Sequence, residues 1–195
     1  MERPIIFSGP MVRAILEGHK TQTRRICKGA RRLSCAMDWP IASCPYGQRS
    51  DLLWVRETWR TDPARDGLKP REIPKGAPIL TMADTGLAFP SPLWGKVRPA
   101  IFMPRWASRL TLELTAERVE RLQEISKEDA VSEGLVVVNN GYRLNGYGLP
   151  DWEQHECRFS PIDAYQRLWD SITAKWVPWA SNPFVWVITF ERVKP

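Results

Sequence analysis

The chain has 195 residues, of which 43% are apolar and 26% are charged, so one packed domain is expected and a disordered chain is excluded. Lys and Arg number 28 against 22 Asp and Glu, and the resulting net charge of +6 favours a polyanionic partner. No apolar run approaches the roughly 18 residues of a membrane span, and the apolar stretch after Pro4 is too short for a secretory signal. With four cysteines read as reduced thiols, we expect a cytoplasmic protein without a membrane partner.

The first quarter of the chain predicts a strand, a helix and a second extended segment. Residues 4–7 are apolar and suit a short strand. Ser8 is typical of a helix N-cap, and apolar residues at helical spacing follow it until Gly18. The alternation over 20–25 indicates an extended segment. Residues 27–50 contain Gly, Pro and Cys without periodicity, so we interpret them as an insertion.

The middle of the chain predicts two strands, a loop region and a short helix. Residues 52–58 suit a buried strand, whereas the Pro- and Gly-rich stretch 60–100 suits a second insertion. Residues 109–121 alternate polar and apolar side chains, as a half-exposed strand does. Ser126 begins a short helix that ends at Gly134. Its capping box would use the acid at the third helical position, which is Asp129.

The last third predicts a further insertion at 136–159, a helix over 160–174 and a strand over 184–193. The helix carries an apolar stripe with the spacing of one buried face. The three residues of this stripe expected to be mostly buried are Leu168, Trp169 and Ile172.

Strands outnumber helices and do not alternate with them in regular β-α-β units. We therefore expect an α+β fold, a small mixed β-barrel with flanking helices and long loop insertions. Four strands should share its sheet, namely those near 4–7, 52–58, 109–121 and 184–193. The chain has no Gly-rich phosphate loop, which argues against enzymes that use nucleoside triphosphates or dinucleotides, and no cofactor is expected.

Two stretches carry positive charge without any acid. Six Lys and Arg lie between Glu17 and Asp38, and four more lie between Trp94 and Leu112 with aromatic residues among them. Arg binds phosphate through two hydrogen bonds and stacks on bases, and Trp offers a face to unpaired bases. These stretches predict one continuous positive face for nucleic acid or a nucleotide. The alternative is a solvated basic surface with the tryptophans in the core.

The residues also resemble a known family, the ASCH domains. Residues 18–25 read GHKTQTRR, which is similar to the G-x-K-T-x-T-x-R signature that opens these domains. The segments DLLWVRETW at 51–59, ISKEDAVSEG at 125–134 and WVITF at 186–190 resemble the strand, short helix and closing strand that follow. The resemblance implies a single PUA-like domain over 1–195.

Two further segments, MPRWASR at 103–109 and LWDSI at 168–172, look like the longer ASCH proteins of phages and prophages. For a phage-encoded protein, the expected compartment is the cytoplasm of the bacterial host. The resemblance further implies a pocket for a modified nucleoside, RNA or other single-stranded nucleic acid.

One branch of the family implies a catalytic set. Small ASCH amidohydrolases act on N4-acetylcytidine, and their motif places the catalytic roles on Lys20, Thr23 and Glu133 here. A hydroxyl nucleophile needs a nearby base, and a Lys amine can serve once desolvation or adjacent cations lower its pKa. Arg24 and Arg25 are such cations, and the Glu carboxyl could pass the proton to the leaving amine.

Other family members bind RNA or modified bases without hydrolysing them, and one resembles a ribonuclease. A non-catalytic binding module and a metal-assisted ribonuclease therefore remain as alternatives. A purely structural interpretation of the three residues also remains open. Thr23 is then only a strand residue, Lys20 contacts phosphate, and Glu133 stabilises its helix, although an acid gains nothing at a helix C-terminus. In the binding alternative, Glu133 is a polar partner of the base.

Further ligand-binding candidates come from the strand segment 51–59 and from the second basic stretch. Arg56 and Glu57 are adjacent on a strand and face opposite sides, so only one of them enters the pocket directly. The Glu either pairs with a cation such as Arg24 or accepts from the amino group of a base. Arg105 and Trp106 complete the set.

The candidate ligands for a zinc site are Cys27, Cys35, Cys44, His155 and Cys157. These residues lack the paired spacing of two to four residues that zinc sites use, although His155 and Cys157 would share a face. We therefore expect structural cysteines and no bound metal.

Overall fold

A computed structural model of the chain describes residues 1–27, 44–85, 93–138, 146–150 and 152–193. The fold is mixed α+β, as expected, with a five-stranded sheet as its largest element. The strands are β1 (Glu2–Ile6), β2 (Gln22–Ile26), β3 (Leu52–Arg56), β4 (Trp59–Arg60), β5 (Leu80–Thr81), β6 (Thr111–Arg121), β7 (Val136–Val138), β8 (Gly146–Gly148) and β9 (Phe184–Arg192). The helices are α1 (Gly9–Leu16), α2 (Met82–Thr85), α3 (Lys127–Ser132) and α4 (Pro161–Thr173). None of them, within the described ranges, has the length and hydropathy that a membrane span requires.

The five-stranded sheet has the order β1-β3-β6-β9-β2, so all four strands predicted to share a sheet do so. β1 and β3 are parallel, and the other neighbours are antiparallel. A bulge between Leu114 and Ala116 in β6 adds local twist. The extended segment predicted over 20–25 is β2, one of the two edge strands.

The two edges of this sheet approach each other. Arg25 of β2 donates a hydrogen bond to the main-chain carbonyl of Ile6 in β1, at 2.6 Å. In a flat sheet, four strand spacings would separate these edges by about 19 Å, well beyond the reach of an Arg side chain. The sheet is therefore strongly curled. Its described edges are joined by this side chain and not by a backbone ladder.

The helix boundaries follow the predicted capping residues. Ser8 precedes α1, and Gly18 ends its turn with φ +82°. Ser126 caps α3 because its hydroxyl accepts the Asp129 N–H at 3.0 Å. Gly134 follows with φ +101°, and a Cβ there would lie 3.1 Å from the Cβ atoms of Ala14 and Lys20. This close approach brings the end of α3 against the end of α1.

The predicted stripe of α4 is correct at two of its three positions. Leu168 and Trp169 are buried in the main core. Ile172 is 64% exposed, so its predicted burial is wrong. The core ends one turn earlier than the apolar pattern, and Ile172 lies at the mouth of a cavity described below.

The predicted insertions contain more order than their composition indicates. At the start of the insertion predicted over 60–100, β4 pairs with β5. Trp59 packs with Ile73 from this insertion and with Met103 beyond it in a second small core. Within 136–159, β7 pairs with β8. Most of the insertion predicted at 27–50 lies outside the described residues.

Candidate ligand pocket

A cavity of about 520 Å³ opens beside the curled edge of the sheet. β2 and the segment after β1 form one side, and α4 forms the other. Its walls are largely apolar and aromatic, with Phe7, Met11, Leu168 and Trp169 among them. Its polar lining includes Lys20, Thr23, Arg24, Arg25 and Glu133.

A buried ion pair lies against this cavity. The Lys20 Nζ is 2.8 Å from Glu133 Oε2, and each residue is only 3% exposed. The same ammonium donates to the main-chain carbonyls of Gln22 at 2.7 Å and of Glu133 at 2.8 Å. Burial lowers the pKa of Lys20, and the adjacent carboxylate of Glu133 opposes that shift. All three ammonium hydrogens are engaged, which is the geometry of a charged Lys.

The other carboxylate oxygen of Glu133 contacts a second buried cation. Arg24 Nη1 donates to Glu133 Oε1 at 3.2 Å, and the Tyr165 hydroxyl lies 3.5 Å from the same oxygen. Burial raises the pKa of Tyr165 well above its ordinary value, with the nearby Glu133 charge adding to the shift. The phenol is therefore a neutral hydrogen-bond donor at physiological pH.

Arg24 extends this cluster toward the surface. Its Nη2 lies 2.7 Å from Glu120 Oε1 and 2.8 Å from Asp129 Oδ2. Arg118 reaches the same two carboxylates at 2.9 and 2.6 Å. The cluster then holds three cations and three carboxylates, so it is close to neutral as a whole. Its members are Lys20, Arg24, Arg118, Glu120, Asp129 and Glu133.

Sequence reasoning missed most of the partners in this cluster. Asp129 was predicted to complete a capping box, but its carboxylate accepts from Gln22, Arg24 and Arg118 instead. Buried cations are stronger partners for a carboxylate than an accessible main-chain N–H. Arg118 and Glu120 were detectable as two charges on one face of β6, because residues two apart share a face.

The predicted catalytic residues share the cavity, but they are not connected as a nucleophile and its base. Thr23 is 5% exposed and lines the pocket. Its hydroxyl makes no hydrogen bond to any described residue, and the hydrogens of the Lys20 ammonium point to other acceptors. Lys20 and Glu133 are instead in direct contact with each other.

The predicted ligand-binding residues divide into two groups. Arg24 and Arg25 line the pocket, whereas the other four are absent from its lining. Glu57 accepts from Arg109 at 3.1 Å and not from Arg24, and Arg105 pairs with Glu2 at 2.6 Å. Arg56 stacks on Trp54 with 4.4 Å between the guanidinium and the ring centre, and Trp106 packs on the second core.

Acids from distant segments neutralise much of the two basic stretches. Lys20 and Arg24 are paired as described, and Arg109 is bound by Glu57 and Asp84. Arg98 is buried and donates to main-chain carbonyls. These side chains therefore have partners from other segments, although neither stretch contains an acid of its own. Residues 28–32 of the first stretch lie outside the described ranges.

The described cysteines are thiols without disulfide partners. Cys27 and Cys44 are buried in the main core, and burial raises the pKa of Cys27 to about 12. Cys157 is half-buried, and Cys35 is outside the described residues. Across the part of the chain that is described, no three His, Cys, Asp or Glu side chains form a group able to hold a metal ion.

The charge cluster predicts a loss of stability in acid. Burial by itself would raise the pKa of Asp129, but Arg24 and Arg118 outweigh it and hold that pKa below its ordinary value of 3.8. A lowered carboxyl pKa stabilises the fold above the unfolded-state pKa, and this contribution is lost as pH falls through the folded-state pKa. Urea unfolding at a series of pH values from about 7 to 3 should show this decline. Asp129→Asn should flatten it, and an equally steep decline in that variant would contradict the assignment.

The cavity has the size and lining of a small-molecule site, for which about 300–1,000 Å³ and few polar groups are typical. Comparison of the chain with protein-family models, with curated proteins and with solved structures finds no match. The function is therefore inferred from the residues of the pocket.

Proposed function

We propose that the chain is a PUA-like protein of the ASCH type whose pocket binds a nucleoside or a modified base. The supporting observation is that one cavity is lined by all three site residues that the ASCH resemblance implies, namely Lys20, Thr23 and Glu133. Glu133 lies more than 100 positions from the other two in the sequence. The curled sheet, whose edges are joined through Arg25, is compatible with a barrel-like fold.

The lining suits a flat heterocycle. Phe7 and Trp169 provide aromatic surface, which stacks favourably on bases. The Thr23 hydroxyl offers a donor and an acceptor with no protein partner among the described residues. A base amide or amino group would satisfy this hydroxyl, and a ligand without a polar edge would leave it buried and unpaired. Binding of a polar, planar ring is therefore the function that the pocket supports best.

Hydrolysis of an N-acylated cytidine-type substrate is the second candidate, and the presence of Lys20, Thr23 and Glu133 in the lining of one cavity favours it. Lys20 would first transfer a proton to Glu133 Oε2, 2.8 Å away, which leaves a neutral amine and a neutral acid. The amine would take the Thr23 proton as the oxygen attacks the acyl carbon. Glu133 would then protonate the leaving amine, and water would release the acyl group from Thr23.

The two candidates are separated by binding and turnover measurements on the same protein. Cytidine, N4-acetylcytidine, uridine and N6-methyladenosine are titrated calorimetrically, and each mixture is followed by mass spectrometry. We expect saturable binding of at least one nucleoside, and Thr23→Val should weaken it about 10-fold through one lost buried hydrogen bond. Loss of the acetyl group in the wild type, abolished in Thr23→Val, would identify the hydrolase.

Thr115→Val is the matched control, because Thr115 lies on β6 and does not line the pocket. This variant should bind as the wild type does. If none of the four nucleosides binds or is converted, the proposed function is wrong.

A further inference from the structure

Charge is unevenly compensated around the pocket. Lys20 and Arg24 are paired with carboxylates at the floor. Arg25 also lines the pocket but forms no ion pair with any described carboxylate. One guanidinium charge therefore remains uncompensated on the cavity wall. A ligand that matches the whole cavity would bring a negative charge to this position.

The guanidinium of Arg25 is held in place by its contacts and keeps N–H donors that no described residue accepts. Nη2 donates to the Ile6 carbonyl at 2.6 Å, and the group lies 5.1 Å from the centre of the Phe7 ring. Nε is buried without a partner, and Nη1 makes no hydrogen bond to described residues. The Lys20 ammonium lies 5.7 Å from the centre of the same ring. Phe7 thus connects the position of Arg25 with the floor of the pocket.

One neighbouring group adds to this position. Ser8 follows Phe7 and lines the pocket, and its hydroxyl makes no capping bond to α1. Ile6, whose carbonyl holds Arg25, also lines the pocket. A hydroxyl and a guanidinium group that no described carboxylate pairs with therefore border the part of the cavity next to Ile6.

We propose that this part of the cavity, the Arg25 corner formed by Ser8 and Arg25, binds the phosphate of the ligand. The inference deepens the proposed function and rests on it. A base would occupy the floor beside Thr23, and its sugar would pass along Phe7 to a phosphate at Arg25. Planar guanidinium groups suit phosphate because they donate two parallel hydrogen bonds. The substrate class is then a nucleotide, alone or within a single strand, whose nucleoside part occupies the site proposed above.

The phosphate site can be tested without knowing the base. Ribose 5-phosphate, ribose and a short abasic DNA strand are titrated against the protein, and the Arg25 Nε–H signal is followed by NMR. We expect saturable binding of ribose 5-phosphate that weakens with added salt, and none of ribose. Tighter binding of the abasic strand would assign the phosphate to a polynucleotide, and tighter binding of the sugar phosphate would assign it to a mononucleotide.

Variants show whether the binding belongs to this corner. Arg25→Gln should weaken ribose 5-phosphate binding about 10-fold or more, and Arg25→Lys should retain part of it by keeping the charge. Arg192→Gln removes the same charge at an exposed position of β9 and should bind as the wild type does. Binding of ribose 5-phosphate no better than ribose, or equal binding by Arg25→Gln, would overturn the proposal.

The outcomes also separate this inference from the proposed function. Nucleoside binding without phosphate binding overturns the Arg25 corner and leaves the pocket as a nucleoside site. Phosphate binding with no response to any nucleoside or nucleotide overturns the base site. The first result contradicts only the phosphate site, and the second contradicts the base site while leaving phosphate binding at the Arg25 corner.

Discussion

Replacing Glu133 by leucine is expected to lower the free energy of unfolding by about 3–5 kcal/mol, which is the cost of removing one partner of a buried ion pair. The carboxylate is the acceptor for the Lys20 ammonium, whose side chain is 2% exposed. Without it, that charge stays in the core with only two main-chain carbonyls as partners. The substitution affects the ion pairing of Arg24 less, because Glu120 and Asp129 still pair with its guanidinium. Urea denaturation measures the loss.

A double variant distinguishes the unpaired charge from a simple loss of packing. Adding Lys20→Met to Glu133→Leu removes the uncompensated ammonium, so the double variant should be more stable than Glu133→Leu alone. Glu128→Leu on the exposed side of α3 is the control and should change stability by no more than about 0.5 kcal/mol. A double variant less stable than the single one would show that the charge is not the cause.

Local signals in the sequence predicted the elements that carry the pocket. Ser126 and Gly134 mark the two ends of α3. Ser126 caps the first turn of the helix, and Gly134 adopts a positive φ after the last turn. Alternation predicted β6 and β9. These features depend on a few neighbouring residues, and tertiary contacts reinforce them here. The meeting of Lys20 with Glu133 is not a local feature, and its prediction came from the resemblance to ASCH domains.

The partners within the site were less predictable, because they depend on which strands become neighbours. Arg24 and Glu120 are 96 positions apart and meet because β2 and β6 flank β9 in the sheet. A run of basic residues looks uncompensated when only its own segment is considered. Here the acids come from β6 and from the end of α3. Among the described residues that line the pocket, Arg25 is therefore the cation without a carboxylate partner.

The ten tryptophans posed a similar question, since they suited either a core or a stacking surface. Trp59 and Trp186 are at most 1% exposed, whereas Trp176 is 76% exposed. The same residue type therefore serves both environments, and burial follows topology and not composition. This contrast provides a matched pair of substitutions.

Replacing Trp59 by alanine is expected to lower the free energy of unfolding by about 3–5 kcal/mol, as for other buried aromatic side chains. Trp59 is fully buried in the second core against residues such as Ile73 and Met103. Its main chain pairs with Arg98 through hydrogen bonds of 3.1 and 2.8 Å. The cavity left by the indole would loosen the segment that joins β4 to β6.

The loss should extend to the pocket, because Thr58 and Ala100 line it. Thr58 precedes Trp59 in the chain, and the Ala100 carbonyl accepts a hydrogen bond from the Met103 N–H at 3.0 Å. Trp59→Ala should therefore weaken ligand binding as well as stability, although Trp59 is not part of the lining. Trp176→Ala removes an equally large side chain that is 76% exposed and contacts Lys175, so its effect should stay within about 0.5 kcal/mol. Urea denaturation and calorimetric titration of both variants make the comparison. Similar losses from the two substitutions would mean that the second core does not support this wall of the pocket.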